Sequence, residues 1–82
     1  MMEEKKKRCF AAHRAILPDG EEIPLAVVEV VGNAVSSVFR LQSEIPSTEW
    51  IGGCIELRRN DEGRVQAFKD GEILNTEYKK QN

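Results

Sequence analysis

With 82 residues, 12 basic against 14 acidic side chains and a formal charge of −2, the chain has room for one domain and one core. Apolar residues make up 40% and charged ones 32%, the balance of a soluble globular domain and far from that of a disordered segment. The near-neutral charge argues against nucleic acid or an anionic membrane as the default partner, and no run approaches the ~18 apolar residues of a membrane span.

The first seven residues, "MMEEKKK", are polar and without periodicity, an end expected to fray, so the single domain is expected over residues 8–74. The charge run "KKKR" reads as a solvated tail rather than a phosphate site. The apolar stretch that follows is interrupted by His13, Arg14 and Pro18, which argues against a signal peptide. Cytoplasmic residence is the expectation, with Cys9 and Cys54 kept as thiols. "RCFAAHRAIL" reads as a helix on its alanines and as a strand on its pattern, and the residues alone leave both open.

"PDG" at 18–20 marks a turn, and "LAVVEVV" beyond it a strand. Gly32-Asn33 then fits a two-residue hairpin, with glycine at the first central position. In "NAVSSVFRLQ", Val35, Val38, Phe39 and Gln42 satisfy a helical stripe. The β-branched content and the preceding turn favour a strand. "IPS" at 45–47 and "NDEG" at 60–63 are further turns, and Asp70-Gly71 is the strongest hairpin signal, since both residues accept positive φ. Residues 75–82, "NTEYKKQN", form a second polar end. The expected fold is all-β: an antiparallel meander of five or six strands forming a small sandwich or open barrel.

"STEWIGGCIEL", residues 47–57, places two glycines inside an apolar run. As an unbroken strand it puts Ile51, Ile55 and Leu57 on one face and Trp50 on the other. A bulge at Gly52 and Gly53 shifts the alternation by one, so Trp50 is expected inside with Ile55 and Leu57 while Ile51 and Cys54 move to the other face. Burying the chain's one Trp removes ~150–250 Å² from water, which favours the bulge.

Cys9, His13 and Cys54 are the soft metal ligands. On a strand Cys9 and His13 share a face two pleats apart, but C-x3-H with a distant Cys matches no zinc pattern. A Cys-His nucleophile pair lacks a recognisable oxyanion loop, and Glu21-Glu22 and Asp61-Glu62 read as solvated hairpin ends. Phe10, Phe39 and Phe68 read as core rather than as a base-stacking platform, and no phosphate-cradling loop is present. No catalytic residue, cofactor or metal site is expected.

Residues 12–57, "AHRAILPDGEEIPLAVVEVVGNAVSSVFRLQSEIPSTEWIGGCIEL", resemble the opening segment of amidohydrolase-superfamily enzymes such as dihydroorotases and cytosine deaminases. "ILPDG" stands for a strand ending in a D-G turn, "AVSSVFRL" for the family's I-x-x-I strand, and "TEWIGGCIEL" for its glycine and apolar strand. The resemblance implies a β-sandwich module and makes "CFAAHRAIL" a strand. Small bacterial proteins that carry this pattern alone fit equally. The family continues into P-G-F-[IV]-D-x-H-x-H and a catalytic barrel, whereas here "GGCIEL" runs into "RRNDEGRVQAF". No catalytic residue carries over. The expectation is a non-catalytic module that self-associates or docks on a protein, with a small-ligand or single-stranded nucleic-acid-binding barrel as the alternative.

Overall fold

A computed structural model describes residues 7–42 and 48–79. The turn expected at 45–47 lies outside the described residues, as do 1–6 and 80–82. Seven strands follow in order: β1 (Lys7–Ile16), β2 (Glu22–Val31), β3 (Ala34–Arg40), β4 (Thr48–Trp50), β5 (Cys54–Arg59), β6 (Val65–Lys69) and β7 (Glu72–Ile73). The described residues contain no helix, so the all-β expectation holds, and both segments that competed as helices are strands. The sheet runs β3-β2-β1-β5-β6-β7, with β4 also paired to β1.

Turn chemistry sets the local ladders. Gly32 (φ 64°) and Asn33 close the β2–β3 hairpin between Val31 and Ala34. Positive φ at the first central residue alone is the type II′ arrangement. Asp70 and Gly71 both have positive φ, 54° and 84°, and close β6–β7 between Lys69 and Glu72. At the β5–β6 turn, the Asn60 side-chain oxygen accepts from the amides of Glu62 and Arg64.

One feature departs from the expected antiparallel meander. Strands β4 and β5 pair with β1 in parallel, at Cys9–Ala11 and Arg14–Ile16 respectively. The chain therefore leaves the β2–β3 hairpin and crosses to the far side of β1. The resulting sheet is mixed, and it rolls until β3 comes near β6 without closing. Inside the roll pack Phe10, Ala12 and Ala15 of β1, Ala26, Val28 and Val30 of β2, Ile55 and Leu57 of β5, Ala67 of β6, and Leu74. Burying a side chain such as Phe10 contributes about 1.5–3 kcal/mol, against roughly 0–1 for an exposed ion pair. The apolar inner face, not the charge pattern, therefore holds the roll.

The glycines sit where three strands bend together. On β1 the inward positions pass from Phe10 and Ala12 to Ala15, so the alternation breaks at His13–Arg14. Opposite, the β1–β2 ladder omits only the His13–Leu25 pair, and Leu25 adopts a left-handed φ of 47°. On the other side, four steps from Trp50 to Cys54 span three from Ala11 to Arg14, one residue extra, at Gly52 (φ 69°) and Gly53 (φ 67°). The expected bulge is present.

Its expected consequence is not. Trp50 is 42% exposed, while Ile51 packs against the core with Ile55 and Leu57. Two successive left-handed residues turn the chain and return it with Ile51 and Ile55 on the same side. The alternation is broken on β1 instead.

Residues 75–79, expected to belong to a polar end, lie against the mouth of the roll. Tyr78 meets Phe10 edge-on at 5.6 Å between ring centroids, and the Thr76 amide donates to the Gly32 carbonyl. Arg8 fastens this segment. Its Nη1 donates to the carbonyls of Asn75, Thr76 and Tyr78, while Nε and Nη2 grip the Glu49 carboxylate at 2.8 and 2.6 Å. The guanidinium also sits 4.8 Å from the centre of the Phe10 ring. In sequence, Arg8 looked like the last residue of a solvated charge run.

Candidate interaction face

The outer face of β3-β2-β1-β4 is built by the register. Directly opposed residues share a face, so Phe39, Val27, Ala11 and Trp50 form one row across four strands. Cys9, Glu29, Ser37 and Thr48 form the next row toward one end. Leu25 and His13 lie toward the bend.

Val27 and Ala11 are buried although they point away from the main core. Phe10-Ala11-Ala12 and Ala26-Val27-Val28 are thus buried on both sides of the sheet, as strands are when each face is covered. What surrounds Val27 and Ala11 on this face is itself exposed. Leu25 (44%), Phe39 (38%) and Trp50 (42%) are the exposed large hydrophobics among the described residues, and all three stand here. Phe39 corrects the reading of the three Phe as core. Phe10 is core, and Phe68 is half-buried beneath the Arg58 guanidinium.

His13 holds the bend. Its Nδ1 accepts from the Gly53 amide at 2.8 Å, a donor left without a ladder partner by the bulge. Accepting there fixes the ring proton on Nε2. The ring meets Trp50 edge-to-face, centroids 4.9 Å apart. The site thus joins β1, β4 and the glycine bend in one unit, and sequence spacing gave no sign of it.

Charges on this face come as two ion pairs. Lys7 lies 3.6 Å from Glu29 and Arg14 lies 3.6 Å from Glu22. Both bases belong to β1 and both acids to β2. Glu29 is held below the usual carboxylate range, first by the Ser36 hydroxyl donating at 2.7 Å and then by Lys7, with burial opposing. Burial, then the neighbouring Glu29, pushes the Cys9 thiol up.

Cys9 and His13 share the outer side of β1, two pleats apart as expected, while Cys54 lies beyond the glycines opposite Arg14. Both thiols are free. Among the described residues, no three His, Cys, Asp or Glu side chains gather as a metal would require. An open depression beside the last strand is lined by Glu72, Ile73, Asn75, Glu77, Tyr78 and Lys79. No described helix is long and apolar enough to cross a membrane.

The described residues form an all-β domain with one rolled mixed sheet, whose outer face carries three exposed large hydrophobics between two ion pairs. No protein-family model, curated protein or solved structure matches the chain.

Proposed function

We propose that this protein is a non-catalytic β module that acts by docking its outer sheet face on a protein surface. One observation carries the reading: the three exposed large hydrophobics stand on a single face, around the buried Ala11 and Val27. Scattered apolar residues on a surface need no explanation, whereas a contiguous group marks an interaction site. The resemblance of residues 12–57 to a segment that flanks a catalytic barrel supports the same reading, because none of that barrel's metal-binding histidines has a counterpart here.

Photo-cross-linking tests it. A benzophenone amino acid at position 39, in the native host, is expected to give a discrete protein adduct that the same group at Asp61, in the exposed β5–β6 turn, does not. Equal labelling at both positions would sink the docking reading. The second reading rests on Phe39 and Trp50, two aromatics on one sheet face, which is how single-stranded bases are stacked. A Kd of ~10⁻⁴ M or weaker at physiological salt is expected for oligonucleotides. A micromolar complex with a clear salt dependence would replace docking with this second reading.

A further inference from the structure

We infer that His13 is a proton switch: on taking up a proton it releases the bend at Gly52 and Gly53, and with it Trp50. The switch regulates the face described above, and its effect on a partner rests on the docking reading. Three strands bend along one line here. Leu25 of β2 holds φ 47°, His13 and Arg14 break the alternation of β1, and Gly52 and Gly53 hold φ 69° and 67°. Outside the strand ladders, four hydrogen bonds tie residues 51–53 to β1. The Ile51 and Gly52 amides share the Ala11 carbonyl at 2.9 and 3.3 Å, and the Arg14 amide donates to the Gly53 carbonyl at 3.3 Å. The fourth, from the Gly53 amide to His13 Nδ1, is the shortest at 2.8 Å. It is also the one that a proton can cancel.

An amide can donate to Nδ1 only while that nitrogen keeps its lone pair. In the imidazolium both ring nitrogens carry protons, so two donors face each other across the same 2.8 Å. The ring then turns away from Gly53, or the bend lifts away from the ring. Either movement breaks the edge-to-face contact with Trp50, whose centroid lies 4.9 Å from that of the imidazole. Imidazole, indole and bend are packed as neighbours, since a Cβ on Gly52 would touch both rings at 3.6–3.7 Å. The bond is present while His13 is neutral and is lost as acid charges the ring. That happens between pH 5 and 8, where histidine alone among unperturbed side chains changes charge.

The charged groups around the ring offer no replacement for the lost bond. On β1, Arg14 is paired with Glu22 of β2 at 3.6 Å, and Cys9 stands two pleats away. Glu29 of β2, opposite Cys9, is engaged by Lys7 and Ser36. On β4 the Glu49 carboxylate is gripped by Arg8. Cys54 of β5 lies opposite Arg14. From β6, Lys69 reaches to 3.0 Å of where a Cβ on Gly53 would sit, and it pairs with Asp70. None of the ion pairs among the described residues includes His13. The imidazolium thus exchanges a hydrogen bond for no ion pair, and the bend is left with its three longer bonds to β1.

Amide exchange of the full chain, followed by NMR between pH 8 and pH 5, tests the switch. After correction for the intrinsic pH dependence of exchange, protection of the Gly53 amide is expected to fall about tenfold, the loss of one hydrogen bond. His13→Asn keeps an acceptor, Oδ1, bonded to Cγ as Nδ1 is, but takes up no proton. Its Gly53 amide is expected to be equally protected at both pH values. Equal protection in the wild type, or an Asn variant that loses protection in acid as the wild type does, overturns the inference. If the variant fails to fold, the wild type decides alone. The Gly53 transition and the titration of the His13 ring protons are expected to share one midpoint, and separate midpoints overturn the switch. A Gly53 transition in a chain whose position-39 probe captures nothing upholds the switch and ends the docking reading. A discrete adduct without that transition does the reverse.

Discussion

Gly52 and Gly53 show how a residue's conformational freedom can matter more than the space around it. A Cβ on Gly52 would meet the His13 ring and Trp50 Nε1 at 3.6–3.7 Å, ordinary contact distance. One on Gly53 would reach 3.0 Å only from the end of the flexible Lys69 side chain. Neither site is crowded, yet both hold left-handed φ. Gly52→Val is therefore expected to lose about 1–3 kcal/mol through backbone strain alone. Trp50→Ala, which removes a side chain 42% exposed, is expected to lose about 1 kcal/mol or less. Urea unfolding of the two variants checks the order. Wild-type tryptophan emission in dilute protein should be that of a partly hydrated indole. A strongly blue-shifted maximum in the monomer, with Trp50→Ala the more damaging change, would restore the buried-Trp picture.

At the scale of the element, β3 and β2 are tied by a second irregularity. Their register shifts between Glu29 and Val30, leaving Ser36 as the extra residue, and its hydroxyl donates to the Glu29 carboxylate. Lowering of the Glu29 pKa in the folded chain has a definite sign in stability. The contribution is present above the unfolded carboxylate value of ~4.3 and is lost as pH falls through the lower folded value. Ser36→Ala removes the largest cause of the lowering. The variant is expected to lose stability at pH 7 and to approach the wild type in acid below that window. Thermal melts at pH 7 and pH 2.5 measure this, and an equal deficit at both would assign the Ser36 effect to packing. The hairpins at Gly32-Asn33 and Asp70-Gly71 were legible beforehand for a related reason. Their geometry is fixed by two adjacent residues whose permitted φ is known from type alone.

For the whole molecule, Arg8 joins three parts far apart in sequence: its own strand, Glu49 of β4 and the carbonyls of residues 75–78. Its side chain is 22% exposed, so its hydrogen bonds are partly shielded from water and stronger than those of a surface pair. Arg8→Lys keeps the charge but cannot span both the carboxylate and three carbonyls. The expected loss is about 1.5–3 kcal/mol, with faster amide exchange over residues 75–79. Exchange in that segment matching the wild type would show that Tyr78 on Phe10 suffices to hold it.

The amino-acid sequence by itself determined the features that depend on neighbours along the chain. Short β-branched runs between turn residues make strands, paired positive-φ residues make tight hairpins, and two glycines in an apolar run make a bulge. Ile55 and Leu57 were assigned to the core because strand alternation is local. Tertiary structure alone decided which strands became neighbours. The parallel pairing of β4 and β5 with β1 joins segments some forty residues apart, and no local preference encodes such a choice. Three properties follow from it and were therefore hidden. Trp50 turned outward because the alternation broke on β1, through contacts that β1 makes with both neighbours. Arg8 found its acceptors in segments that approach only when the sheet rolls. Leu25, Phe39 and Trp50 became one surface because three separate stretches of chain were laid side by side, and a shared face belongs to the sheet rather than to any strand.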